Sequence, residues 1–385
     1  MADPADLIVI GGGLAGLSLA MQLAQRGYPG RVQIIEPRVR YEDDRSWAFW
    51  TPSGSHWSGC ATRTWDEWLF SRQAGTAVAR RAEGWCYAYV RSIDFYQSAL
   101  RALAACPNIT RVPATCVGMV QDLDEALGVV TTAGTLPARY VVDTRPPPAS
   151  QYAGATLFQC FAGRELQLSR PGFDDRQVEL MTDMRSDSRG FVFTYTLPLS
   201  PTRALVEVTR FSAFPLAAAE LACDLDALLE ARGWSQAEVL RSESAVLPMG
   251  LPAAAGNTTV RGVVNAGIGG GALRAASGYG FLRIQAWAER CADALMQGLP
   301  PVGHPPEPVL RRWMDQIFLD ALAGHPERAP EFFLALASSV PGAAFVRFMS
   351  DRASWTDHAL IIAALPPGPF LHASRTRSRR TRLLA

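Results

Sequence analysis

The N-terminal segment alternates short apolar runs with one helical stretch. Residues 7–10 form an unbroken apolar run of the kind that makes a buried strand. Residues 17–26 repeat apolar side chains at helical spacing, and Gly27 is a typical helix stop. Val32–Ile35 is a second apolar run, and Glu36 follows it directly. The pattern predicts a β-α-β unit with an acidic residue at the end of its second strand.

Two kinds of pattern divide the remaining chain. Before residue 150, and again over 260–296, short apolar runs accompany helical spacing, which continues the α/β character. Between residues 157 and 211 the runs become longer and rich in aromatic and β-branched residues, which favours an antiparallel sheet. Its predicted strands are 158–161, 177–184, 191–197 and 203–209. Helices are predicted over 216–231, over Phe281–Met296, and from there to about residue 350.

The length of 385 residues exceeds one ordinary core, so two intertwined domains are expected. We predict an α/β (α+β) fold with a Rossmann-like dinucleotide-binding domain built from residues 1–45, 85–150 and 250–300. An inserted antiparallel β-sheet domain for the substrate takes residues 46–84 and 151–249. A C-terminal helical region covers 301–370. The tail over 371–385, with five Arg between 375 and 382, is expected to be disordered.

Composition excludes several classes of protein. The formal net charge of +1 gives no indication of nucleic-acid binding. Seven scattered Cys without a C-x-x-C motif indicate a reducing compartment, and five His without paired spacing argue against a metal site. The first residues do not resemble a signal peptide, and no apolar window is long enough for a transmembrane helix.

A glycine fingerprint follows the first predicted strand. Gly11, Gly13 and Gly16 match G-x-G-x-x-G, in which the glycines allow a tight turn, close approach of a pyrophosphate, and close helix packing. Glu36 lies about 20 residues further on, where an acid binds the adenosine ribose. An acid at this position disfavours the 2′-phosphate of NADP, and both FAD and NAD remain possible on this fingerprint alone.

A second glycine turn lies far along the chain, at residues 267–271. The predicted strand that ends on Asp143 suits a cofactor contact at the same sheet edge. Gly278 then stands just before the helix Phe281–Met296, and a helix N-terminus behind a glycine loop is a ready site for an anion. This second turn makes FAD the better choice of cofactor.

Tryptophan is concentrated in one short segment. Half of the ten Trp residues lie between positions 47 and 68. Large aromatic side chains line apolar ligand sites, and they also form small satellite cores beneath loops. Both interpretations stay open on the sequence.

Several motifs together resemble a known family. The motifs are Arg45-Ser46-Trp47-Ala48-Phe49, the segment 158–165, the long segment 191–203 followed by Glu207, Pro248-Met249-Gly250, and Ser277-Gly278-Tyr279. With these motifs the chain resembles the bacterial lycopene β-cyclases, within a group of FAD-binding folds that includes aromatic hydroxylases and geranylgeranyl reductases.

The chain also departs from the family pattern. Val208 stands where the family has an acid, Trp50 stands where it has His, and Ile268 replaces an Asp of the wider flavin group. Arg274-Ala275-Ala276-Ser277 replaces His-Pro-Thr-Thr. These differences leave room for a cyclase that acts on another isoprenoid.

The resemblance implies a reaction and a set of site residues. It implies acid-initiated, redox-neutral cyclisation of the ψ-ends of lycopene to β-ionone rings, giving γ-carotene or β-carotene, with Glu207 as the acid. Without the resemblance, Glu207 would be interpreted as an acid on the polar face of an edge strand. Trp47, Trp50, Phe193 and Tyr195 are candidates for the substrate pocket. The residues assigned to the cofactor are Gly11, Gly13, Leu14, Ala15, Gly16, Glu36, Arg45, Asp143, Gly267, Ser277, Gly278 and Tyr279.

The cofactor and the cellular location follow from the same resemblance. Reduced FAD, with NAD(P)H as the electron source, is implied, together with peripheral attachment to the cytoplasmic face of a bacterial membrane, where the carotenoid is found. A flavin-dependent monooxygenase, a prenyl reductase, and a non-catalytic carotenoid or polyprenyl binder are the alternatives.

Overall fold

The computed structural model describes residues 3–75, 77–121, 127–251 and 260–384. Residues 252–259, which belong to the predicted range 250–300, lie outside the described part. The strands are β1 (Ala5–Ile10), β2 (Val32–Ile35), β3 (Ser46–Pro52), β4 (Arg63–Trp65), β5 (Glu67–Arg72), β6 (Ala77–Arg81), β7 (Trp85–Arg91), β8 (Ile109–Val112), β9 (Cys116–Gln121), β10 (Leu127–Thr131), β11 (Gly134–Asp143), β12 (Leu157–Gln167), β13 (Val178–Asp187), β14 (Gly190–Ser200), β15 (Arg203–Ser212), β16 (Glu238–Met249) and β17 (Val263–Asn265).

The helices are concentrated at the two ends of the chain. They are α1 (Leu14–Gln25), α2 (His56–Gly59), α3 (Ser92–Ala104), α4 (Ala218–Ala231), α5 (Phe281–Met296), α6 (Val309–Gly324), α7 (Ala329–Ser339), α8 (Gly342–Met349), α9 (Trp355–Ala364) and α10 (Pro367–Leu384). The bounds of α5 are those predicted from the sequence. Among the described residues, no helix has both the length and the apolar character needed to cross a bilayer.

The first sheet is the nucleotide-binding scaffold. Its strand order is β8-β2-β1-β11-β10-β9, with β17 paired to β11. The strands β8, β2, β1, β11 and β17 run parallel, and β1 and β2 are almost wholly buried because α1, α3 and α5 cover one face. The carboxyl ends of β1, β11 and β17 therefore meet at one edge, where ligands bind in folds of this kind.

The second sheet is larger and mostly antiparallel. Its order is β16-β12-β15-β14-β13-β5-β6, and only the β13–β5 pair is parallel. Side chains alternate between its two faces. Val206 and Val208 pack with α4, whereas Leu205 and Phe211 face the C-terminal helices.

The predicted fold class is confirmed. A parallel nucleotide-binding sheet, an inserted antiparallel sheet and a helical C-terminal region are all present. Within the segment 46–84, β5 and β6 belong to the large sheet. The strand β3 pairs with β7 and, together with β4, forms a separate three-stranded sheet.

The C-terminal tail differs from the prediction of disorder from residue 371. The structure has the helix α10 through Leu384. Its first part packs onto the body of the protein, because Ala373 is buried and the ring of Phe370 lies 5.0 Å from that of Phe332. These apolar contacts hold the start of α10 against the body of the protein.

Candidate active site

The first glycine turn has the geometry of a phosphate cradle. Gly11 has φ +99°, and a Cβ on Gly16 would lie 2.0 Å from the carbonyl oxygen of Gly11, so both positions require glycine. In contrast, a Cβ on Gly13 would meet no atom within 4 Å. Gly13 is the N-cap of α1, and no side chain caps that helix end. Open space before uncapped backbone N–H groups suits a pyrophosphate.

Glu36 is held at the end of β2 beside this turn. Its carboxylate accepts hydrogen bonds from the Gly12 N–H (2.8 Å) and from Nε of Arg38 (2.9 Å). Burial alone raises the pKa of Glu36, but the hydrogen bonds and the charge of Arg38 outweigh it, so the pKa lies below its ordinary value. The group is therefore an ionised acceptor. Arg45, predicted to bind the cofactor, is exposed and pairs with Asp44, which also lies 3.6 Å from Arg38.

The second glycine turn closes onto the first. Gly267 has φ +64°, and a Cβ there would lie 3.2 Å from the Ala15 side chain at the start of α1. Asp143 is in register with Ile10 and accepts a backbone hydrogen bond from Ala266 (2.8 Å). Its carboxylate is paired with Arg145 (2.7 Å). The predicted cofactor residues from three distant stretches therefore share one sheet edge.

His304 contacts the second turn and was not predicted. Its Nε2 accepts the N–H of Gly267 (3.1 Å), and its ring lies 5.2 Å from that of Trp287. Burial, together with the charges of Arg283 and Arg290, lowers the pKa of His304 to about 3, so the ring stays neutral and can accept. The single His in a Pro-rich loop carried no spacing signal that could have revealed this contact.

An apolar cavity of about 310 Å³ lies between the large sheet and helices α6 to α10. Trp50, Phe193 and Tyr195, which were predicted to line the substrate pocket, are in its wall. Ser277 and Tyr279, which were assigned to the cofactor, also line it. A Cβ on the neighbouring Gly278 would lie 2.8 Å from Oε1 of Gln159, so this turn packs tightly against the sheet. The cavity and the segment 277–279, which leads into α5, are therefore adjacent.

Trp47 lies elsewhere. Its ring packs 5.6 Å from Phe95 and 5.5 Å from Phe281, within the core of the nucleotide-binding domain. Trp47 and Trp50 are three residues apart on β3, so their side chains point to opposite faces of the strand. Of the two tryptophans, only Trp50 reaches the cavity.

Glu207 lies on the cavity-facing side of the large sheet. It is in register with Tyr195 on one neighbouring strand and with Gly163 on the other. Thr209 donates a hydrogen bond from Oγ1 to Oε1 of Glu207 (2.6 Å). β15 has partners on both sides, so Glu207 is not on an edge strand.

A second carboxylate stands in the same row of the sheet. Glu243 is also in register with Gly163, where a Cβ would lie 3.4 Å from Cβ of Glu207, so Gly163 itself places no side chain between Glu207 and Glu243. Burial first, and the negative charge of Glu243 second, raise the pKa of Glu207 to about 8, although Thr209 and Arg241 act in the opposite direction. Glu207 is therefore protonated at neutral pH, as an acid catalyst requires.

Glu243 belongs to an ion-pair cluster that sequence reasoning missed. Arg241 bonds Glu243 (2.6 Å), Glu165 (2.8 Å) and the hydroxyl of Tyr89 (2.6 Å), and Ser46 donates to Glu243 (2.9 Å). Arg241 and Glu243 alternate along β16 with residues of the opposite face. This alternation was the only feature of the sequence that could have indicated the cluster. The cluster holds the second carboxylate in place behind Gly163.

The mouth of the cavity is apolar and open. Three large apolar side chains among the described residues that line it are also exposed: Trp313 on α6 (46%), Ile362 on α9 (52%) and Leu371 on α10 (54%). We call these three residues the rim. Arg312 and Arg375 are exposed beside it.

Comparison with known proteins identifies the family. The model of the family described as lycopene cyclase protein matches residues 6–375. The chain is 26% identical to a lycopene beta-cyclase of Pantoea ananas over 391 residues, which is 96% of each chain. Among solved structures, it is similar to a geranylgeranyl bacteriochlorophyll reductase-like protein from Thermoplasma acidophilum (TM-score 0.61, 12% identity, 96% and 98% of the two chains). It is also similar to CtdE in complex with FAD and a substrate (TM-score 0.58, 12% identity, 87% and 90%). With a parallel nucleotide-binding sheet, an inserted antiparallel sheet and a match over nearly its whole length, the chain belongs to the lycopene cyclase family.

Proposed function

We propose that this protein is an FAD-dependent lycopene β-cyclase. The observation that carries the proposal is the position of Glu207 on the face of the large sheet that borders an apolar, aromatic cavity, with a pKa raised by burial. An alkene is a very weak base, so its protonation needs a strong, well-aimed acid in a site without water. The cavity volume is that of an ordinary small-ligand pocket, and we propose that one end of the polyene enters it at a time.

Glu207 starts and ends the reaction. Its proton adds to the terminal alkene and leaves a tertiary cation, which a second double bond of the same chain attacks to close the ring. Loss of a neighbouring proton then forms the ring alkene, so no electrons are gained or lost. Trp50, Phe193 and Tyr195 present ring faces to the cavity, and such faces stabilise cations.

The FAD of this proposal is bound by the two glycine turns. The open space at Gly13, the uncapped start of α1 and the ionised Glu36 fit the pyrophosphate and ribose of such a cofactor. When bound in its reduced form, a flavin supplies negative charge that stabilises a nearby cation. NAD(P)H is the proposed source of its electrons.

Replacing Gly13 with Ala tests the cofactor site. The extended backbone at Gly13 (φ −84°) accepts Ala, and its Cβ meets nothing, so folding is unchanged. The new methyl group occupies the phosphate space, and we expect the FAD that co-purifies to fall at least about tenfold. Flavin absorbance per protein and the unfolding temperature of the apoprotein are the measurements. Gly118→Ala, in equally open space on β9, is the control; full flavin content in Gly13→Ala would contradict the site.

Expression in lycopene-accumulating cells tests the reaction itself. The pigments are separated by chromatography and weighed by mass spectrometry. Cyclisation leaves the mass of lycopene unchanged while its retention and absorption change. A gain of oxygen or of hydrogen would instead identify a monooxygenase or a prenyl reductase. Unchanged lycopene in cells whose protein holds FAD would exclude the cyclase.

We also propose that the protein docks on the cytoplasmic surface of the membrane through the rim. An apolar mouth is the expected entry for a substrate dissolved in acyl chains, and the exposed Arg312 and Arg375 beside it favour anionic lipid.

Removing apolar area from the rim should weaken this docking. In flotation with anionic liposomes, we expect the double substitution Ile362→Ser and Leu371→Ser to lower the bound fraction at least about tenfold. Phe214→Ser is the matched control, because Phe214 is 74% exposed but follows β15, away from the rim. Equal losses in the two proteins would contradict a specific docking face. Cyclisation of lycopene supplied in detergent micelles should persist in both.

A further inference from the structure

Three tyrosines from separate elements meet beside Glu207. Tyr87 lies on β7, Tyr195 on β14, and Tyr279 directly after Gly278, just before α5. The hydroxyls of Tyr87 and Tyr279 are 3.4 Å apart. Burial raises the pKa of Tyr279 to about 12, while hydrogen bonds to the hydroxyls of Tyr87 and Tyr195 act to lower it. The hydroxyls of Tyr87 and Tyr279 are therefore in contact, and Tyr195 stands close enough to affect the pKa of Tyr279; we call these three residues the tyrosine cluster.

The tyrosine cluster spans the distance between the acid and the cavity. Tyr195 is directly opposite Glu207 in the sheet, on the same face, and directly opposed side chains lie about 5 Å apart at Cβ. Tyr195 and Tyr279 line the cavity, whereas Glu207 is not among its described lining residues. Tyr195 therefore both neighbours Glu207 in the sheet and lines the cavity.

The surroundings keep these hydroxyls neutral and fixed. Burial raises the pKa of both Tyr87 and Tyr195 well above the ordinary value, and the charge of Glu207 acts in the same direction on each. The ring of Trp50 packs edge-on against Tyr87 (4.9 Å) and Tyr279 (5.7 Å), and Phe193 lies 5.4 Å from Tyr195. Neutral hydroxyls can accept one proton while releasing another, as a relay requires.

We propose that the hydroxyls of Tyr195 and Tyr279 carry the proton between Glu207 and the polyene end, with Tyr87 as the residue that positions Tyr279. The proposal rests on the proposed cyclisation. As the O–H bond of Glu207 breaks, an O–H bond forms at the first tyrosine, which passes its own proton to the next hydroxyl. The last O–H bond breaks as the new C–H bond forms. When the ring closes, the lost proton returns along the same path, so each tyrosine ends neutral and Glu207 is again protonated.

Tyrosine-to-phenylalanine substitutions test the relay, because they remove the hydroxyl and keep the ring face. In FAD-loaded enzyme given lycopene in micelles, we expect Tyr195→Phe and Tyr279→Phe each to lower kcat at least about tenfold, with KM and flavin content unchanged. Tyr152→Phe is the control, since Tyr152 packs against Phe158 in the core on the other face of the sheet. For the wild type, a plot of the rate against the deuterium fraction in mixtures of H₂O and D₂O should be curved rather than straight, because several protons move together.

The outcomes separate the relay from simpler roles. Wild-type rates in both Phe variants would overturn it and leave direct transfer from Glu207. If Tyr195→Leu is slow but Tyr195→Phe is not, the ring face alone matters, and the relay is again overturned. Should one Phe variant fail to fold, the other decides. A wild-type enzyme that leaves lycopene unchanged overturns the proposed function, whereas an active wild type with fully active Phe variants overturns only the relay.

Discussion

Glu207→Gln is expected to lower the rate of cyclisation by roughly 10²- to 10⁴-fold, the usual contribution of a positioned acid. The amide keeps the shape of the side chain and still accepts the hydrogen bond from Thr209, but it has no acidic proton to donate. The loss should appear in kcat rather than in KM, because the apolar cavity that binds the polyene is unchanged. Flavin content should also be unchanged, because the glycine turns belong to the other domain.

Two further variants sharpen this result. Glu207→Asp keeps the acid but withdraws it by one methylene, so we expect an intermediate rate. Glu238→Gln, at an exposed position of β16, should behave as the wild type. A Glu207→Gln enzyme that cyclises lycopene at the wild-type rate would contradict the role of Glu207 as the acid.

The same substitution should also change how stability depends on pH. The pKa of Glu207 is raised from 4.5 to about 8, so the folded protein binds more protons than the unfolded chain between these values. The contribution of Glu207 to the free energy of unfolding is complete below pH 4.5 and is lost as the pH rises through about 8. Urea unfolding of Glu207→Gln should lack this part of the decline that the wild type shows.

Glu243→Gln is expected to move the alkaline limit of activity to lower pH. The negative charge of Glu243 is the second cause of the raised pKa of Glu207, so its removal lowers that pKa. Activity needs protonated Glu207 and therefore falls as the pH rises through that value. The activity of the variant should match that of the wild type near about pH 5. As the pH rises towards about 9, the variant should lose activity at a lower pH than the wild type. Its activity in that range should be lower by about tenfold for each pH unit by which the limit moves.

The structure allows this change to be made cleanly. A glutamine can still accept hydrogen bonds from Ser46 and Arg241, and Arg241 retains Glu165 as its charged partner. The other groups that face Glu207 are Thr209 and Tyr195, which the substitution leaves in place. Glu179→Gln, on β13 beyond the row of Glu207, should not move the limit. An unchanged alkaline limb in Glu243→Gln would contradict the coupling of the two carboxylates.

Local patterns were sufficient for the scaffold. The strands around Gly11, the helix Phe281–Met296 and the long aromatic strands are short-range features, set by apolar spacing and by glycine at positions that need unusual backbone angles. The order of patterns along the chain also determined the fold class. The tail, which local patterns predicted to be disordered, was a different case. The packing of Phe370 against Phe332 at the start of α10 depends on residues far apart in the chain.

The candidate site was predicted only in part. Glu207, Trp50, Phe193 and Tyr195 were named from the sequence, but the resemblance to a family carried those assignments. Trp47 was assigned to the pocket with Trp50, yet the alternation of β3 sends its ring into the other core. The placement of such side chains depends on the register between paired strands, and no single segment of the sequence determines that register.

The sequence by itself determined a dinucleotide-binding fold with an inserted sheet, because both follow from periodicity and from glycine turns. Only the tertiary structure decided the environment of Glu207. Its pKa is raised first by burial and second by the charge of Glu243, which comes from a strand more than thirty residues further along the chain and is in register with the same Gly163. An electrostatic environment is a sum over neighbours in space, so residues distant in sequence create the acid that the fold then places beside the cavity.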